Sequence, residues 1–277
     1  MNVGVVGLGL IGGSMARAYK QAGHRVLAHD IDAKTLGYAM LAGVADGPLT
    51  EKDIPEIELL FIALYPCASE EYLQNNAKNI SACCVVIDLC GTKRRICETG
   101  FELANQYGFT FIGGHPMAGA QFSGIKYSRS NLFKGAPMVI VPPKYDDIVL
   151  LDKIKKLLEP AGFGSISVTT AAEHDKMIAF TSQLAHVVSN AYVKSETAKA
   201  HGGFSAGSYK DMTRVAWLNE YMWTELFLEN SDYLSHELEL IINSLKEYKD
   251  AIDASDKERL CNLLKDGRIA KEQVDGK

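Results

Sequence analysis

The chain of 277 residues is long enough for one large or two medium domains, each with a sizeable buried core. Apolar residues make up 47% of it and charged residues 23%, which are ordinary values for a globular protein. The formal net charge is −5 and no basic stripe with interleaved aromatic residues is present, which argues against a nucleic-acid partner. No apolar run approaches the roughly 20 residues that a membrane-spanning helix needs, so we expect no membrane partner.

The six cysteines show no Cys-x-x-Cys spacing. We therefore expect buried, reduced thiols and no bound metal. The first apolar strand begins directly after Met1, which predicts a protein without a leader peptide and a cytoplasmic location.

A glycine-rich turn follows the first predicted strand, which covers residues 2–6. Its pattern is Gly-x-Gly-x-x-Gly, in which Gly7 permits a tight turn and Gly9 lets a pyrophosphate approach the backbone. Gly12 lets the next helix, predicted over 10–22, pack closely against the strand. The N-terminal N–H groups of that helix would point at the phosphates. The predicted cofactor contacts in this turn are Gly7, Leu8, Gly9, Leu10, Ile11 and Gly12.

An acidic residue stands where this fingerprint requires one. Asp30 ends the second predicted strand, 18 residues after Gly12, and a carboxylate there would bind the ribose hydroxyls. It would repel a 2′-phosphate, and no arginine follows it closely, so the predicted cofactor is NAD rather than NADP. The alternative is that Asp30 only caps the helix that begins near Ala33.

Short β-rich runs alternate with helical stretches through residues 1–168, which indicates a doubly wound parallel sheet of the Rossmann type. Right-handed crossovers would bring the C-terminal ends of the strands to one edge, where ligands bind. The loop after the third predicted strand lies at this edge, and its residues Leu64 and Pro66 are predicted cofactor contacts. The remaining strands are predicted over 25–30, 59–63, 85–88, 110–112, 137–141 and 165–168, and the helices over 33–42, 69–78, 93–107 and 145–159.

Residues 169–277 are predicted to form an all-α domain. One long helix is expected over 173–200, ended by Gly202 and Gly203, with further helices from Met212 and an exposed one over 255–277. Such long apolar helices have few neighbours of their own to pack against. Burial between two subunits would solve this, so we predict a homodimer through the helical domain.

A histidine is set between a glycine pair and a proline in Gly113-Gly114-His115-Pro116. A stiff loop at the binding edge would hold His115 as a general base, because an ordinary imidazole pKa of about 6.5 suits proton abstraction near neutral pH. The alternative is a histidine whose nitrogens only satisfy the turn.

Four motifs together resemble the prephenate/arogenate dehydrogenase family of tyrosine biosynthesis. They are Gly-Leu-Gly-Leu-Ile-Gly-Gly-Ser from residue 7, His-Pro-Met-Ala-Gly from 115, Glu-His-Asp from 173 and Lys-Asp-Met-Thr-Arg-Val-Ala from 210. The resemblance implies NAD-dependent oxidative decarboxylation of prephenate to 4-hydroxyphenylpyruvate, or of arogenate to tyrosine. In this reaction a hydride passes from the ring carbon that bears the hydroxyl to the nicotinamide. The ring carboxylate leaves as carbon dioxide.

The resemblance also implies roles for individual residues. His115 would accept the hydroxyl proton, and Arg214 would hold a substrate carboxylate with a bidentate fork that a lysine cannot reproduce. The alternative for Arg214 is a surface ion pair with Asp211, three residues earlier.

The long helix carries the remaining predicted substrate contacts. Gln183 and His186 match a polar stretch of the family and share a helix face. A core histidine is the alternative for His186. Ala185 replaces a proline of many relatives, which predicts a straighter helix. His174 is expected to order the domain junction rather than to contact substrate.

One motif departs from the family. The usual Asp-x-Gly-Ser-x-Lys reads here as Asp-Leu-Cys-Gly-Thr-Lys over 88–93, so glycine occupies the serine position and the hydroxyl moves to Thr92. Thr92 is a predicted catalytic partner of His115, and the equal alternative is that it caps the helix beginning at Lys93.

Two other functions are alternatives to the one that this resemblance implies. One is another two-domain NAD(P) dehydrogenase acting on a β-hydroxyacid or an imino acid, which would leave His-Pro-Met-Ala-Gly unexplained. The other is a nucleotide-binding protein that senses NAD without turnover. The shifted position of Thr92 is the one feature that supports it.

Overall fold

The computed structural model describes residues 1–120 and 122–276, and within them eight strands form one sheet. The strands are β1 (Asn2–Val6), β2 (Arg25–His29), β3 (Gly47–Pro48), β4 (Leu59–Ile62), β5 (Val85–Asp88), β6 (Thr110–Pro116), β7 (Pro137–Val141) and β8 (Ser165–Val168). Their order in the sheet is β3-β2-β1-β4-β5-β6-β7-β8. The order reverses between β1 and β4, and the crevice outside the C-terminal ends of these two strands is the place where such sheets bind ligands.

The predicted doubly wound sheet is confirmed, with one difference in strand direction. Neighbouring strands are parallel from β3 through β6, but β7 runs antiparallel to β6, and β8 pairs in parallel with β7. The prediction of a wholly parallel sheet is therefore wrong for the last two strands. The described part of the segment before β7 holds the 3₁₀ turn Ile125–Tyr127 in place of a crossover helix, so the chain returns directly beside β6.

Helices cover both faces of this sheet. Alternate strand residues enter two separate apolar clusters: Val5 and Phe61 belong to one, and Val6 and Ile62 to the other. This burial on both faces explains why the strands read as nearly continuous apolar runs. The helices between strands are α1 (Leu10–Gln21), α2 (Ala33–Leu41), α3 (Pro66–Asn76), α4 (Arg94–Tyr107) and α5 (Ile148–Leu158).

The chain after β8 is helical. Its helices are α6 (Ala171–Ile178), α7 (Ala185–Tyr192), α8 (Gly207–Thr213), α9 (Glu220–Glu229), α10 (Ser231–Asp253) and α11 (Lys257–Asp275). No helix in the described ranges is long and apolar enough to cross a membrane.

The single helix predicted over 173–200 is interrupted, and that prediction is wrong. Residues Ala179–Leu184 form a π-helical segment between α6 and α7, and the regular helix ends at Tyr192. Side chains compete for the backbone carbonyls here, since the Thr181 hydroxyl donates to Met177 O at 2.8 Å and Nδ1 of His186 contacts Ser182 O at 2.8 Å. The loss of proline at position 185 therefore does not leave a regular helix.

The chain divides into two compact units, Met1–Asn230 and Ser231–Lys277. The first contains the whole sheet and helices α1 to α9, so the change from strands to helices after Val168 falls inside it. The second is a hairpin of α10 and α11, in which the Tyr248 hydroxyl donates to Leu263 O at 3.1 Å.

Candidate active site

The turn between β1 and α1 has room for a phosphate at one glycine and none at the other two. Gly7 has a φ of +87°, and a Cβ on Gly12 would lie 1.9 Å from Gly7 O. A Cβ on Gly9 would meet nothing within 4 Å, so the backbone of Gly9 faces open space. Leu10 and Ile11 then begin α1, whose N-terminus points to this space. The residues present therefore fit a dinucleotide pyrophosphate.

Asp30 lies beside the glycine turn. One carboxylate oxygen accepts a hydrogen bond from Leu8 N at 2.8 Å, and the other accepts from Asp32 N at 2.9 Å. Helix α2 is capped by Asp32, which accepts from the amides of Lys34 and Thr35. Asp32 therefore performs the capping that was the alternative role of Asp30, and the Asp30 carboxylate lies against the backbone of the glycine turn.

The loop after β4 lies against the same turn. A Cβ on Gly7 would be 2.8 Å from Cδ2 of Leu64, so the half-buried Leu64 side chain packs on this glycine. Pro66 is buried and begins α3. The first N–H groups of a helix have no partner within the helix, so a proline at this position costs no helix hydrogen bond. Leu64 and Pro66 thus lie at the crevice between β1 and β4.

His115 lies in a strand and not in the predicted loop. Pairing with β7 extends β6 to Pro116, and His115 is opposite Val139 in the ladder. The preceding residue is also held, because Gly114 N donates to Oδ1 of Asp88 at 3.1 Å. The sheet therefore fixes the backbone at the candidate base more firmly than a loop would.

A chain of hydrogen bonds reaches His115 from α6. Nδ1 of His115 lies 2.8 Å from Nε2 of His174, and Nδ1 of His174 lies 2.7 Å from Oδ1 of Asp175. An ionised Asp175 accepts the Nδ1–H of His174, so a neutral His174 accepts the Nδ1–H of His115 through Nε2. This leaves a lone pair on Nε2 of His115. We call His115, His174 and Asp175 the histidine relay.

The pKa values of the relay favour this assignment. Burial, His174 and the Lys93 cation lower the pKa of His115 well below its usual 6.5, and burial lowers the pKa of His174 as well. Burial would raise the pKa of Asp175, but hydrogen bonds from His174 and from the backbone amides of Arg94 and Lys93 lower it. Both imidazoles are therefore neutral near pH 7, and His115 can accept a proton.

The relay was not predicted as a unit. The Glu-His-Asp motif was the available signal, but His174 was expected only to order the domain junction. The structure places it in direct contact with His115.

Helix α9 lies against the loops that follow β4 and β5. The Thr92 hydroxyl donates to Oε2 of Glu229 at 2.6 Å, and a Cβ on Gly91 would be 3.1 Å from Leu226. Neither predicted role of Thr92 corresponds to this contact, since the hydroxyl donates to Glu229 rather than to His115. The amides of Lys93 and Arg94 at the start of α4 donate instead to Asp175.

Three potential metal-ligand atoms meet where α9 contacts the loop after β4. Those of Cys67, Glu225 and Glu229 lie within 4.8 Å of one another. Glu229 also forms an ion pair with Arg95 at 3.4 Å, and Cys67 N donates to Oε1 of Glu225 at 2.5 Å. Donors of the protein itself therefore satisfy both carboxylates.

Arg214 supplies a cation that suits an anion, and His186 lies near enough for that charge to act on its imidazole. His186 donates from Nδ1 to Ser182 O and stacks on Trp223 with ring centroids 3.8 Å apart, so its Nε2 remains available. Burial lowers the pKa of His186, and the charge of Arg214 lowers it further. Arg214 is exposed and has no ion-pair partner within the described ranges, which excludes the predicted alternative with Asp211. Trp223 had no predicted role in this site.

Gln183 is placed inside the protein. It is 1% exposed, its Nε2 donates to Leu226 O at 3.0 Å, and its Oε1 accepts from Nδ2 of Asn230 at 2.7 Å. Each end of the amide thus makes a hydrogen bond that joins this turn to Leu226 on α9 and to Asn230 just after it, and no exposed surface of Gln183 faces a substrate in this structure.

Comparisons with known proteins agree with this geometry. The family model "Prephenate dehydrogenase, nucleotide-binding domain" matches residues 15–167, and "Prephenate dehydrogenase, dimerization domain" matches residues 170–266. Prephenate dehydrogenase of Bacillus subtilis is 27% identical over 283 aligned residues, which cover 98% of this chain and 75% of that protein.

Solved structures are similar over nearly the whole chain. Arogenate dehydrogenase of Synechocystis is 27% identical with a TM-score of 0.79, covering 99% of this chain and 100% of its own. Prephenate dehydrogenase of A. aeolicus, in complex with hydroxyphenyl propionate and NAD⁺, is also 27% identical. Its TM-score is 0.81, and the match covers 99% of this chain and 98% of that one.

Proposed function

The chain belongs to the prephenate dehydrogenase family, and we propose that it catalyses the NAD-dependent oxidative decarboxylation of prephenate or arogenate. The observation that carries this proposal is the histidine relay, which leaves a lone pair on Nε2 of a neutral His115. The glycine turn and Asp30 fit NAD at the same edge of the sheet.

Each part of the site has a task in this reaction. NAD, bound by the glycine turn with Asp30, Leu64 and Pro66, supplies the hydride acceptor. Nε2 of His115 accepts the proton of the ring hydroxyl as carbonyl character develops at that carbon. His174 and Asp175 keep the imidazole in the required tautomer, and they stabilise the positive charge that the proton brings.

The anion-binding group gives the substrate its orientation. The Arg214 guanidinium presents parallel N–H donors that match a carboxylate, and the neutral His186 can accept from a donor group of the substrate through Nε2. The ring carboxylate leaves as carbon dioxide, and aromatisation of the ring drives the reaction forward. Thr92 and Gln183 act indirectly in this proposal, because their hydrogen bonds hold α9 against the loop after β5 and against the π-helical turn.

The substitution His115→Asn separates an enzyme from a sensor. We expect it to abolish hydride transfer to NAD and to leave NAD affinity, followed by nicotinamide fluorescence, within about twofold of the parent because the glycine turn is untouched. An unchanged turnover rate of this variant would show that His115 takes no part in the reaction. Binding of NAD without turnover of either substrate by the parent protein would favour the sensor.

We also propose that the dinucleotide-binding domain covers residues 1–168 and that residues 169–277 form a helical substrate domain through which two chains dimerise. Large apolar side chains are exposed there, including Phe180 (59%), Trp217 (77%) and Tyr221 (78%) in the first compact unit and Ile242 (60%) on α10. Light scattering on a sizing column should give twice the mass of one chain. A single-chain mass at micromolar concentration would contradict the dimer.

A cytoplasmic location is part of the same proposal. It is supported by the biosynthetic role of the enzymes that the chain resembles. Fractionation of the source cells should recover the protein with cytoplasmic markers, and recovery with the membrane or secreted fraction would contradict it.

A further inference from the structure

Lys93 lies where two chains of hydrogen bonds to His115 meet. Its side chain has no exposed surface and forms an ion pair with Oδ2 of Asp88, which is equally buried. Oδ1 of Asp88 accepts from Gly114 N at 3.1 Å, one residue before His115. The ammonium group of Lys93 is thereby connected to the strand that carries the candidate base.

The second chain starts from the backbone of Lys93. Its N–H donates at 2.7 Å to Oδ1 of Asp175, the same oxygen that contacts Nδ1 of His174. His174 in turn contacts His115. One residue therefore holds the base from two directions, through β6 and through α6.

A contribution to the stability of the fold is a weak explanation for the buried ion pair of Lys93 and Asp88. Removing two charges from water costs about as much as their attraction returns, and well-packed apolar residues often replace such pairs without loss. A buried pair that is joined through Gly114 N to the strand carrying His115 points to a task in the chemistry.

The electrostatic surroundings of His115 support such a task. Burial raises the pKa values of the thiols Cys90 and Cys97, so both remain uncharged, and β7 contributes the apolar Val139 opposite His115. The Lys93 cation lowers the pKa of both histidines, while Asp88 and Asp175 act in the opposite direction on His174. The charged and titratable groups around the relay are His174 and Asp175 from α6, Asp88 from β5, Cys90 and Lys93 from the turn after β5, and Arg94 and Cys97 from α4.

We propose that Lys93 is a positioning residue whose buried cation, anchored by Asp88, aligns His115 and maintains it in the neutral form that accepts a proton. The inference rests on the proposed function, since it assigns Lys93 a part in that reaction. It does not make Lys93 a contact of substrate or cofactor.

The test is the substitution Lys93→Met, which keeps the length of the side chain and removes its charge. The imidazole pKa of His115 is measured by NMR titration of protein with labelled histidine, with the His115→Asn variant assigning the signal. We expect this pKa to rise, because the nearby cation is gone and Asp88 loses its counter-charge. In kinetics we expect the acid limb of kcat/KM to move to higher pH, kcat to fall by about 100-fold from misalignment, and KM for NAD to stay unchanged.

The matched control is Lys156→Met. Lys156 also pairs with an aspartate, Asp152, at 2.7 Å, but on the exposed surface of α5. This control should leave the His115 titration and the acid limb where they are. A folded Lys93→Met protein with an unmoved His115 titration and an unmoved acid limb would overturn the proposal.

A double variant covers the case in which Lys93→Met does not fold. Asp88→Asn with Lys93→Met removes both buried charges and retains an acceptor for Gly114 N. We expect the His115 pKa to rise here too, since the cation acts on both histidines, and no rise would again overturn the proposal. The titration needs no substrate, so the absence of turnover in the parent protein would refute the proposed function and still leave the role of Lys93 measurable.

Discussion

Nε2 of His174 lies 2.8 Å from Nδ1 of His115, and this contact joins the sheet to the first helix that follows it. Because Asp175 engages the other nitrogen of His174, the direction of both hydrogen bonds is determined. The unprotonated nitrogen of His115 is then Nε2. A single contact between two histidines thus decides which nitrogen of His115 is free to accept a proton.

Removal of His174 should impair the chemical step more than binding. We expect His174→Ala to lower kcat by about 10- to 100-fold, because His115 loses the partner that sets its tautomer and orientation. Substrate KM should change by less than about threefold. Steady-state kinetics tests this, with His24→Ala as a control outside the site, and an unchanged kcat would refute the relay.

Activity should persist below the ordinary pKa of histidine. The pKa of His115 is lowered well below 6.5, so at neutral pH nearly all of the protein carries His115 in its neutral, proton-accepting form. This form is lost only as pH falls through that lower pKa. The acid limb of kcat/KM should therefore lie below about pH 6.5. An acid limb at or above this value would contradict a depressed pKa.

The same shifts predict how stability depends on pH. The unfolded chain binds protons at these histidines near pH 6.5, whereas the folded protein binds them only at lower pH. The free energy of unfolding should consequently decrease as pH falls below about 6.5. Urea unfolding at a series of pH values measures this, and the His115→Asn variant should show a weaker dependence.

Two glycines of the nucleotide turn should respond in opposite ways to alanine. Gly9→Ala adds a Cβ in open space at an ordinary φ of −70°, so we expect unchanged thermal stability but NAD affinity weakened on the order of tenfold. Gly12→Ala would place its Cβ against Gly7 O and should destabilise the fold by about 1–3 kcal/mol or more. Thermal melts with and without NAD separate the two effects. Equal effects of both substitutions would contradict this reading of the turn.

Arg214 should act through binding of the substrate carboxylate. We expect Arg214→Ala to raise the substrate KM by about 10- to 100-fold, which corresponds to roughly 1.4–2.8 kcal/mol. Arg214→Lys should recover only part of this, because an ammonium group lacks the bidentate fork. Arg268→Ala, which removes an exposed arginine paired with Glu272 on α11, is the control. An Arg214→Ala protein with an unchanged KM would contradict the assignment.

Local features of the site were predictable from the sequence. The glycine turn, Asp30 at the end of β2 and the strand ends that bring His115 to one edge follow from short-range rules on turns and apolar runs. Those rules depend on neighbours within a few residues, and they gave the bounds of the first five helices to within about three residues.

Features that depend on distant contacts were not predictable. His115 and His174 are 59 residues apart, and their contact depends on how α6 packs against α4 beside the sheet. An apolar run gives no information about the direction of its strand, so the antiparallel direction of β7 was not predicted. The extension of β6 through His115, which depends on pairing with β7, was not predicted either. Gln183 is likewise buried within a π-helical segment, which helical periodicity alone does not reveal.

Reduction of the nicotinamide by the purified protein is the decisive measurement of the proposed activity. NAD and NADP are each supplied with prephenate and with arogenate, and the aromatic product and carbon dioxide are measured alongside the reduced cofactor. We expect turnover with NAD, with equal amounts of reduced cofactor and carbon dioxide, and far weaker turnover with NADP because Asp30 would repel its 2′-phosphate. Absence of turnover with both substrates, from protein that still binds NAD, would contradict it.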